Sequence, residues 1–187
     1  EFLNYGILED LANLDRSNTA LQSSTLKLFD EEIISYLKFL IQKAKFTSRS
    51  VVASLPSFAA FTTIVDMPIM SDSELAAALG FKARQYIPLP ASAITLDWVK
   101  VREREEADGS KKQQIFLIAI TNEQVEKYKK IFSAAGLALS ALEIEGFSLA
   151  RSLAAGSEPT LIIDIGARST GIAIAQGGIL QFSGQTD

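Results

Sequence analysis

PTLIIDIGARSTGIAIAQGGILQF, residues 159–182, is the stretch that decides the fold of this chain. The run Leu161–Ile163 is short, continuous and rich in β-branched residues, which favours a strand buried on both faces, and it leads directly into Asp164. A second apolar run, Gly171–Ala175, stops at Gln176-Gly177-Gly178, a turn signal for another hairpin. The sequence therefore predicts two apolar strands joined by a short turn, with a further hairpin after them.

The turn between these two strands carries the candidate chemistry of the chain. Its residues are small or hydrogen-bonding, so their backbone N–H groups could approach an anion such as a phosphate. The candidate phosphate-binding residues are Gly166, Ala167, Arg168, Ser169 and Thr170. Asp164, at the strand end, could orient a magnesium ion through its waters. The alternative interpretation is an ordinary β-hairpin with a glycine in its turn, because short glycine motifs also occur without function.

Composition excludes several classes of function. The chain has 187 residues, 48% of them hydrophobic, which is enough to form a core. Its 18 Lys and Arg against 22 Asp and Glu give a net charge of −4, so no basic excess favours binding to nucleic acid. Cysteine and histidine are absent, which excludes thiolate chemistry, imidazole metal ligands and a Ser-His-Asp triad. No apolar run approaches the roughly 20 residues of a membrane span, so no direct span is expected.

The middle of the chain, Phe61 to Ile144, has the pattern of a small α+β unit. Two capping boxes, Ser71 with Glu74 and Thr121 with Gln124, each predict the start of a helix. A phase change in the apolar pattern near Val99 predicts a β-bulge. The order of predicted elements is strand, helix, strand, strand, helix, strand, the βαββαβ order of ferredoxin-like folds, which is expected to close on itself.

The flanking parts are predicted to pack together around this unit. Phe2–Leu8 and Ser50–Leu55 are predicted strands, and a core-facing helix is predicted from an N-cap at Asp30 to Lys45. A further helix is expected over Phe147–Ala154. The chain lacks an initial methionine and stops at Asp187 directly after a strand, so it is expected to be a piece of a longer protein.

Two long segments resemble a known family. SLPSFAAFTTIVDMPIMSDSELAAALGFKARQYIPLP, residues 54–90, resembles the LP-strand-MP-helix-QYIP signature of type IV pilus assembly protein PilM. EIEGFSLARSL, residues 143–153, followed by LIIDIGARSTGIAIAQGGILQFS, residues 161–183, resembles the helix and second phosphate-binding hairpin of the actin-like fold. PilM is a relative of the division protein FtsA in the actin-like ATPase superfamily.

The resemblance implies an α/β fold class with an α+β insertion: a partial actin-like ATPase fold carrying a βαββαβ inserted subdomain 1C. Residues 1–57 with 146–158 would then form part of subdomain 1A. Residues 58–145 would be the inserted subdomain 1C, and residues 159–187 would begin subdomain 2A with the phosphate-binding hairpin. The family's first phosphate hairpin and adenine-binding elements would lie outside this chain.

The resemblance also implies a partner. PilM-like proteins bind the cytoplasmic N-terminal peptide of the membrane protein PilN, which would make this chain a cytoplasmic scaffold held at the inner-membrane pilus assembly complex through its partner. An extended peptide gains main-chain hydrogen bonds and side-chain pockets in such a groove. Candidate partner-binding residues are Phe58, Phe61, Met67, Tyr86 and Ile87. Core packing is the alternative role for these side chains, since buried aromatics are common.

ATP and magnesium are the cofactors that the resemblance implies, for the full-length protein only. No catalytic residue is assigned, and metal contact is assigned to Asp164 through water. At most a weak ATPase is expected of the full-length protein, because fold does not establish turnover. This fragment is predicted to be inactive, because it carries only one of the two phosphate-binding hairpins that the resemblance implies. The alternatives are an active ATPase and an FtsA-like cell-division or cytoskeletal protein.

Overall fold

The computed structural model describes residues 4–8, 28–166 and 169–186. The chain divides into two compact units, one formed by Glu1–Ala53 with Val125–Leu142 and the other by Ser54–Gln124 with Glu143–Asp187. The subdomain boundaries expected from the sequence follow a family resemblance rather than compactness, so they stay a prediction.

The described residues form both helices and strands. In chain order they are α1 (Asp30–Ala44), β1 (Ser50–Leu55), β2 (Phe61–Pro68), α2 (Asp72–Lys82), β3 (Ile94–Glu105), β4 (Lys111–Thr121), α3 (Asn122–Ala134), β5 (Ala138–Ile144), α4 (Glu145–Leu153), β6 (Thr160–Ile165), β7 (Thr170–Gln176) and β8 (Ile179–Thr186). Short 3₁₀ helices cover Ser57–Ala59, Ala83–Gln85 and Ala91–Ala93. The described residues 4–8 of the predicted strand Phe2–Leu8 form no strand.

In the first unit, α1 begins one position earlier than predicted. Asp30 is the first helical residue rather than the N-cap, and the N–H of Phe29 donates to the Glu32 carboxylate at 2.9 Å. Three acidic residues in the first turn complement the positive end of the helix dipole. Lys45 ends the helix in the left-handed conformation, with a φ of 55°, so the helix stops where it was predicted to stop.

Strand β5 pairs with β1. The N–H of Ala138 donates to the carbonyl of Arg49 at 2.8 Å, and the Ser140 hydroxyl donates to the carbonyl of Val51 at 2.8 Å. Before β5, Gly136 has a φ of +79°, the left-handed conformation that favours glycine just after the end of a helix. The βαββαβ order is therefore confirmed along the chain. The expected closure of this unit on itself is wrong, because its last strand pairs with β1.

The second unit contains a three-stranded antiparallel sheet of order β2-β4-β3. The register shifts between Lys100 and Arg102, which confirms the predicted bulge. The central strand β4 contains the apolar run Ile115–Ile120 and is buried on both faces. On one face lies the α2 cluster, whose buried members are Val65, Met67, Leu75, Leu79, Ala83, Ile87, Ile115, Leu117 and Ala119.

The opposite face of β4 contributes to a second apolar core, the α4 cluster. Its buried members are Val101, Phe116, Ile118, Ile144, Ala150, Ala154, Ile162, Ala173, Ala175 and Leu180. The Phe116 ring meets the Phe147 ring edge to face at 5.2 Å. This cluster joins β4 to α4 and to the sheet β6-β7-β8, so the second unit has one strand shared between two cores.

The two predicted capping boxes differ in outcome. At α2, the Ser71 N–H and hydroxyl donate to the Glu74 carboxylate at 2.9 Å and 2.7 Å, and the Glu74 N–H donates back to the Ser71 hydroxyl at 3.4 Å. These bonds from Ser71 hold the pKa of Glu74 below its ordinary value. At α3, the Gln124 N–H reaches the Thr121 hydroxyl at 3.3 Å. The reciprocal bond is missing, because the Gln124 side-chain oxygen is buried without a partner among the described residues.

The stretch that decides the fold forms the antiparallel sheet β6-β7-β8. Gly177 and Gly178 turn β7 into β8 with φ values of +59° and +76°, the left-handed conformations that a two-residue type I′ turn requires. The expectation that β6 is buried on both faces is wrong. Ile162 is buried against α4, whereas Leu161 and Ile163 on the other face are 61% and 57% exposed.

Candidate functional site

The candidate phosphate loop connects β6 to β7. Asp164 pairs with Gly171 across the hairpin and is exposed. The Gly166 N–H donates to the Ser169 carbonyl at 3.0 Å, so this predicted anion donor is engaged within the turn itself. Ser169 and Thr170 are half-buried. Ala167 and Arg168 lie outside the described residues.

A concave pocket lies beside this hairpin, entirely within the second unit. Its volume is about 250 Å³, including its solvent-filled mouth. Its polar and glycine walls are Ser57, Glu145, Gly146, Asp164, Gly171 and Ser183, and its apolar floor is Leu149, Ile162, Ile172 and Ala173. Most of this volume is open solvent, so the pocket is a shallow depression in the surface rather than an enclosed cavity.

The pocket brings together one of the predicted phosphate residues, Asp164, with residues that the sequence did not single out. Glu145 is the first residue of α4, and its carboxylate accepts the Ser57 N–H at 2.8 Å in a partly buried position. Gly146 is buried, and a Cβ added there would meet a Leu180 methyl at 3.4 Å, so α4 starts close against β8. The N-terminal end of α4 therefore forms one side of the pocket, and Asp164 lies on its wall.

A signal for Glu145 was present in the sequence. It follows the apolar strand end at Ile144, as Asp164 follows Ile163, and it lies in the EIEGFSLARSL segment. No local pattern indicated that Ser57 and Ser183 border the same pocket, because both are distant from Asp164 along the chain.

Glu143 fixes the orientation of α4 from the end of β5. One of its carboxylate oxygens accepts the Ser148 hydroxyl at 2.7 Å and an Arg151 nitrogen at 2.7 Å, and its second oxygen accepts Arg151 at 3.0 Å. The hydrogen bond from Arg151 is the main cause that holds the pKa of Glu143 below its ordinary value of 4.5, and the bond from Ser148 lowers it further.

Replacing Glu143 by glutamine should make the free energy of unfolding less sensitive to acidic pH. Because folding lowers the Glu143 pKa, its contribution is fully present above the ordinary value of 4.5 and is lost as the pH falls through the lowered pKa. At pH 7 the variant should lose about 0.5–1 kcal/mol of unfolding free energy, because Arg151 is largely exposed and screened. Urea unfolding of the parent and the variant, at neutral pH and at a pH below the lowered pKa of Glu143, measures the difference between their unfolding free energies. This difference should be smaller at the acidic pH. A loss that is equal at both pH values would contradict this role, and Glu158→Gln, at an exposed carboxylate outside the pocket, is the control.

Among the described residues, no metal site made of protein groups alone is found. The described residues contain no cluster of three or more His, Cys, Asp or Glu side chains that could hold an ion. Magnesium commonly binds through one or two carboxylates, several waters and substrate phosphates. The Asp164 carboxylate at the pocket wall fits this water-mediated arrangement.

The candidate partner-binding residues fall into two groups. Met67 and Ile87 are 4% and 6% exposed and belong to the α2 cluster, so their side chains form core. Phe61 and Tyr86 are 45% and 47% exposed, and Phe58 is half-buried. Phe61 and Tyr86 are therefore accessible for direct contact with a partner.

The fold and the family match together define the class of protein. The chain has a mixed α/β architecture. It belongs to the family of type IV pilus assembly protein PilM, whose family pattern matches residues 8–185. Within the described residues, no helix combines the length and the apolar character needed to cross a membrane.

Solved structures agree with this assignment at the level of fold. The chain is similar to a chain of a "PilM-PilN type IV pilus biogenesis complex", with a TM-score of 0.70 and 23% identity over 82% of this chain. It is also similar to the cytoplasmic domain of EpsL, an inner membrane component of the type II secretion system of Vibrio cholerae, with a TM-score of 0.60 and 13% identity over 82% of this chain. The chain spans 47% of the first structure and 56% of the second.

Proposed function

We propose that this chain is part of a cytoplasmic scaffold of type IV pilus assembly that binds the N-terminal peptide of a PilN-type membrane protein. Membership of the PilM family and the likeness to a PilM-PilN complex support the proposal. The partner would hold the scaffold at the inner membrane. The same proposal includes nucleotide binding by the complete protein, with the pocket beside Asp164 receiving phosphate.

The observation that carries the peptide-binding part is the position of Phe61. It is the first residue of β2, which lies at one end of the sheet order β2-β4-β3. The Phe61 ring is 45% exposed. Thr63, two residues further along the same face of β2, pairs with the buried Leu117 of β4. A strand at a sheet edge offers backbone donors and acceptors to an added strand, and an exposed aromatic ring beside it offers a side-chain contact. This combination suits an extended apolar peptide.

Replacing Phe61 by aspartate should weaken binding of a PilN N-terminal peptide to the full-length protein. The parent protein should bind with a micromolar dissociation constant, measured by isothermal titration calorimetry. The variant should bind about tenfold or more weakly, because it loses an aromatic contact worth about 1.4 kcal/mol or more. Its fold should persist, since the replaced ring is already half in water.

Phe81→Asp provides the matched control. Phe81 lies in α2, in the same unit, and is 69% exposed. It should accept the same change in charge without loss of peptide affinity. Equal weakening by both variants would indicate a general effect of charge, and unchanged affinity in Phe61→Asp would remove β2 from the binding surface.

The nucleotide-binding part is supported by the chemistry of the pocket. Hydroxyls of Ser57 and Ser183 and the N-terminal end of α4 border it, and groups of this kind commonly bind phosphate oxygens. A bound nucleotide would supply the phosphate oxygens that complete the coordination of a magnesium ion. Asp164 would orient one or more waters of that ion, and the apolar floor would exclude bulk water from one side of the phosphate.

A further inference from the structure

The C-terminal half of α1 and the residues that follow it carry positive charge only. Lys38 and Lys43 are exposed, and so is Lys45, which ends the helix. Arg49 follows directly before β1 and is also exposed. Between Ile33 and Ala53 the sequence contains these four cations and no Asp or Glu. This part of the first unit is therefore locally basic, in a chain whose net charge is −4.

The exposed residues of this half of α1 share one side of the helix. Because an α-helix has 3.6 residues per turn, residues three or four positions apart are neighbours on its surface. Lys38 and Gln42 form one line, which Lys45 extends at the helix end, and Phe39 and Lys43 form the adjacent line. All five residues are exposed, and together they are named the α1 basic surface. The Lys43 ammonium lies 5.5 Å from the centre of the Phe39 ring, so a cation and an apolar ring are in contact there.

Stabilisation of the helix accounts for only part of this charge. A cation in the last turn complements the negative end of the helix dipole, and this effect falls off within that turn. Lys43 is the basic residue of the last turn, whereas Lys38 lies a turn earlier and Arg49 lies outside the helix. Within the part of the chain that the structure describes, the four cations between Ile33 and Ala53 form no ion pair. Their charge is therefore available to an external anion.

The acidic residues of α1 lie at its other end. Asp30, Glu31 and Glu32 form the first turn, and Asp30 pairs with Lys127 of α3 at 3.2 Å. Glu31 is exposed and precedes Lys38 by about 10 Å along the helix axis, at a rise of 1.5 Å per residue. Exposed charges about 10 Å or more apart are largely screened at 0.1 M salt. The α1 basic surface therefore presents its own local charge to a ligand rather than the net charge of the chain.

A ring and unpaired cations on one exposed helix side suit an anionic lipid surface. Lys and Arg side chains near such a surface each add to affinity, and aromatic rings prefer the boundary between headgroups and acyl chains. The Phe39 ring is 52% exposed. An acidic protein surface would match the cations, but it would leave this ring without an apolar layer to enter.

We propose that the α1 basic surface binds the anionic headgroups of a bilayer directly, with Phe39 at headgroup level and Lys38, Lys43 and Lys45 against lipid phosphates. This interaction goes beyond the proposed function, because it includes none of the residues assigned to peptide or nucleotide. A few cations and one ring bind weakly by themselves, and stable attachment to a membrane takes two signals. A membrane-bound protein partner would supply the second signal, and the lipid contact would raise the overall affinity through its local concentration.

The test is sedimentation of the full-length protein with vesicles that contain no protein. One set is about two-thirds phosphatidylcholine and one-third phosphatidylglycerol, and the other is phosphatidylcholine alone. At about 0.1 M salt the parent should bind the mixed vesicles about tenfold or more tightly than the neutral ones, and added salt should weaken this binding. Lys38→Gln combined with Lys43→Gln should weaken binding to mixed vesicles about tenfold or more, because two charges near the lipid surface are lost.

Lys100→Gln combined with Lys111→Gln is the matched control. It removes the same charge from exposed positions on β3 and β4, and its affinity should stay within about twofold of the parent, because charges far from the bound surface are screened. Phe39→Ser should weaken binding severalfold, whereas Phe81→Ser, at a ring that is 69% exposed, should not. Glutamine has nearly the helix propensity of lysine, and circular dichroism checks that each variant keeps its fold.

The outcomes distinguish this proposal from the proposed function. Absence of binding to mixed vesicles, which is also what an acidic protein ligand would give, overturns the lipid proposal, and so does equal binding to both kinds of vesicle. Equal weakening by the two double variants overturns the assignment to α1 and indicates a general effect of charge. The Lys38 and Lys43 double variant should bind a PilN N-terminal peptide as the parent does. A parent that binds mixed vesicles but no peptide supports the lipid contact and overturns the proposed function.

Discussion

Replacing Phe116 by alanine is expected to lower the free energy of unfolding by about 3–5 kcal/mol, the usual cost of deleting a buried aromatic ring. Phe116 is 2% exposed, lies in the central strand β4 and meets the Phe147 ring edge to face. Its loss leaves a cavity in the α4 cluster at the point where β4 packs against α4. Urea unfolding followed by circular dichroism measures the change.

The control is Phe81→Ala, at a position that is 69% exposed. This variant removes the same atoms from the surface and should stay within about 0.5 kcal/mol of the parent, as surface substitutions usually do. A cost below about 1 kcal/mol for Phe116→Ala would contradict the placement of this ring in a close-packed core.

Replacing Asp164 by asparagine is expected to weaken magnesium-dependent nucleotide binding by the complete protein about 10- to 100-fold, the usual effect of losing a group that orients a metal's ligands. The side chain keeps its size and loses its charge, and the exposed position should leave the fold unchanged. Titration with ATP in the presence and absence of magnesium measures the effect. Affinity without magnesium should change little, because the proposed role of Asp164 acts on the ion.

Asp97→Asn serves as the matched control for the loss of one carboxylate. Asp97 is an exposed residue of β3 whose carboxylate accepts the neighbouring Trp98 N–H, and it does not border the pocket. If Asp164→Asn binds Mg-ATP as well as the parent, the phosphate-hairpin interpretation has to be withdrawn in favour of an ordinary hairpin. An equal loss in both variants would indicate a general effect of net charge.

Much of the local structure could be predicted because it depends on neighbours in sequence. The Ser71–Glu74 capping box needs side chains three positions apart, and the type I′ turn needs two adjacent residues with positive φ, which Gly177 and Gly178 adopt. The bulge in β3 shows in sequence as a change of apolar phase, since side chains alternate along a strand. These features form as predicted because their stabilising contacts lie within a few residues.

The candidate site was predicted less completely. Asp164 was identified because an acid at a strand end next to a glycine turn is a local pattern. Glu145, which lines the same pocket, was not, because the Ser57 N–H that it contacts lies 88 residues away along the chain. Met67 and Ile87 were candidates for partner contact on the basis of a sequence motif. In the structure both side chains are buried in the α2 cluster.

The sequence by itself determined the order of strands and helices from α1 to β8 and, for most of them, their approximate positions. Apolar periodicity and capping residues encode these properties locally. Only the tertiary structure decided that β5 pairs with β1, that β6 buries Ile162 but exposes Leu161 and Ile163, and that Ser57, Glu145 and Asp164 share one pocket. Contacts between segments far apart in the chain determine which strands pair and which residues line the pocket. An apolar strand carries the same pattern whichever partner covers it, so its sequence does not specify that partner.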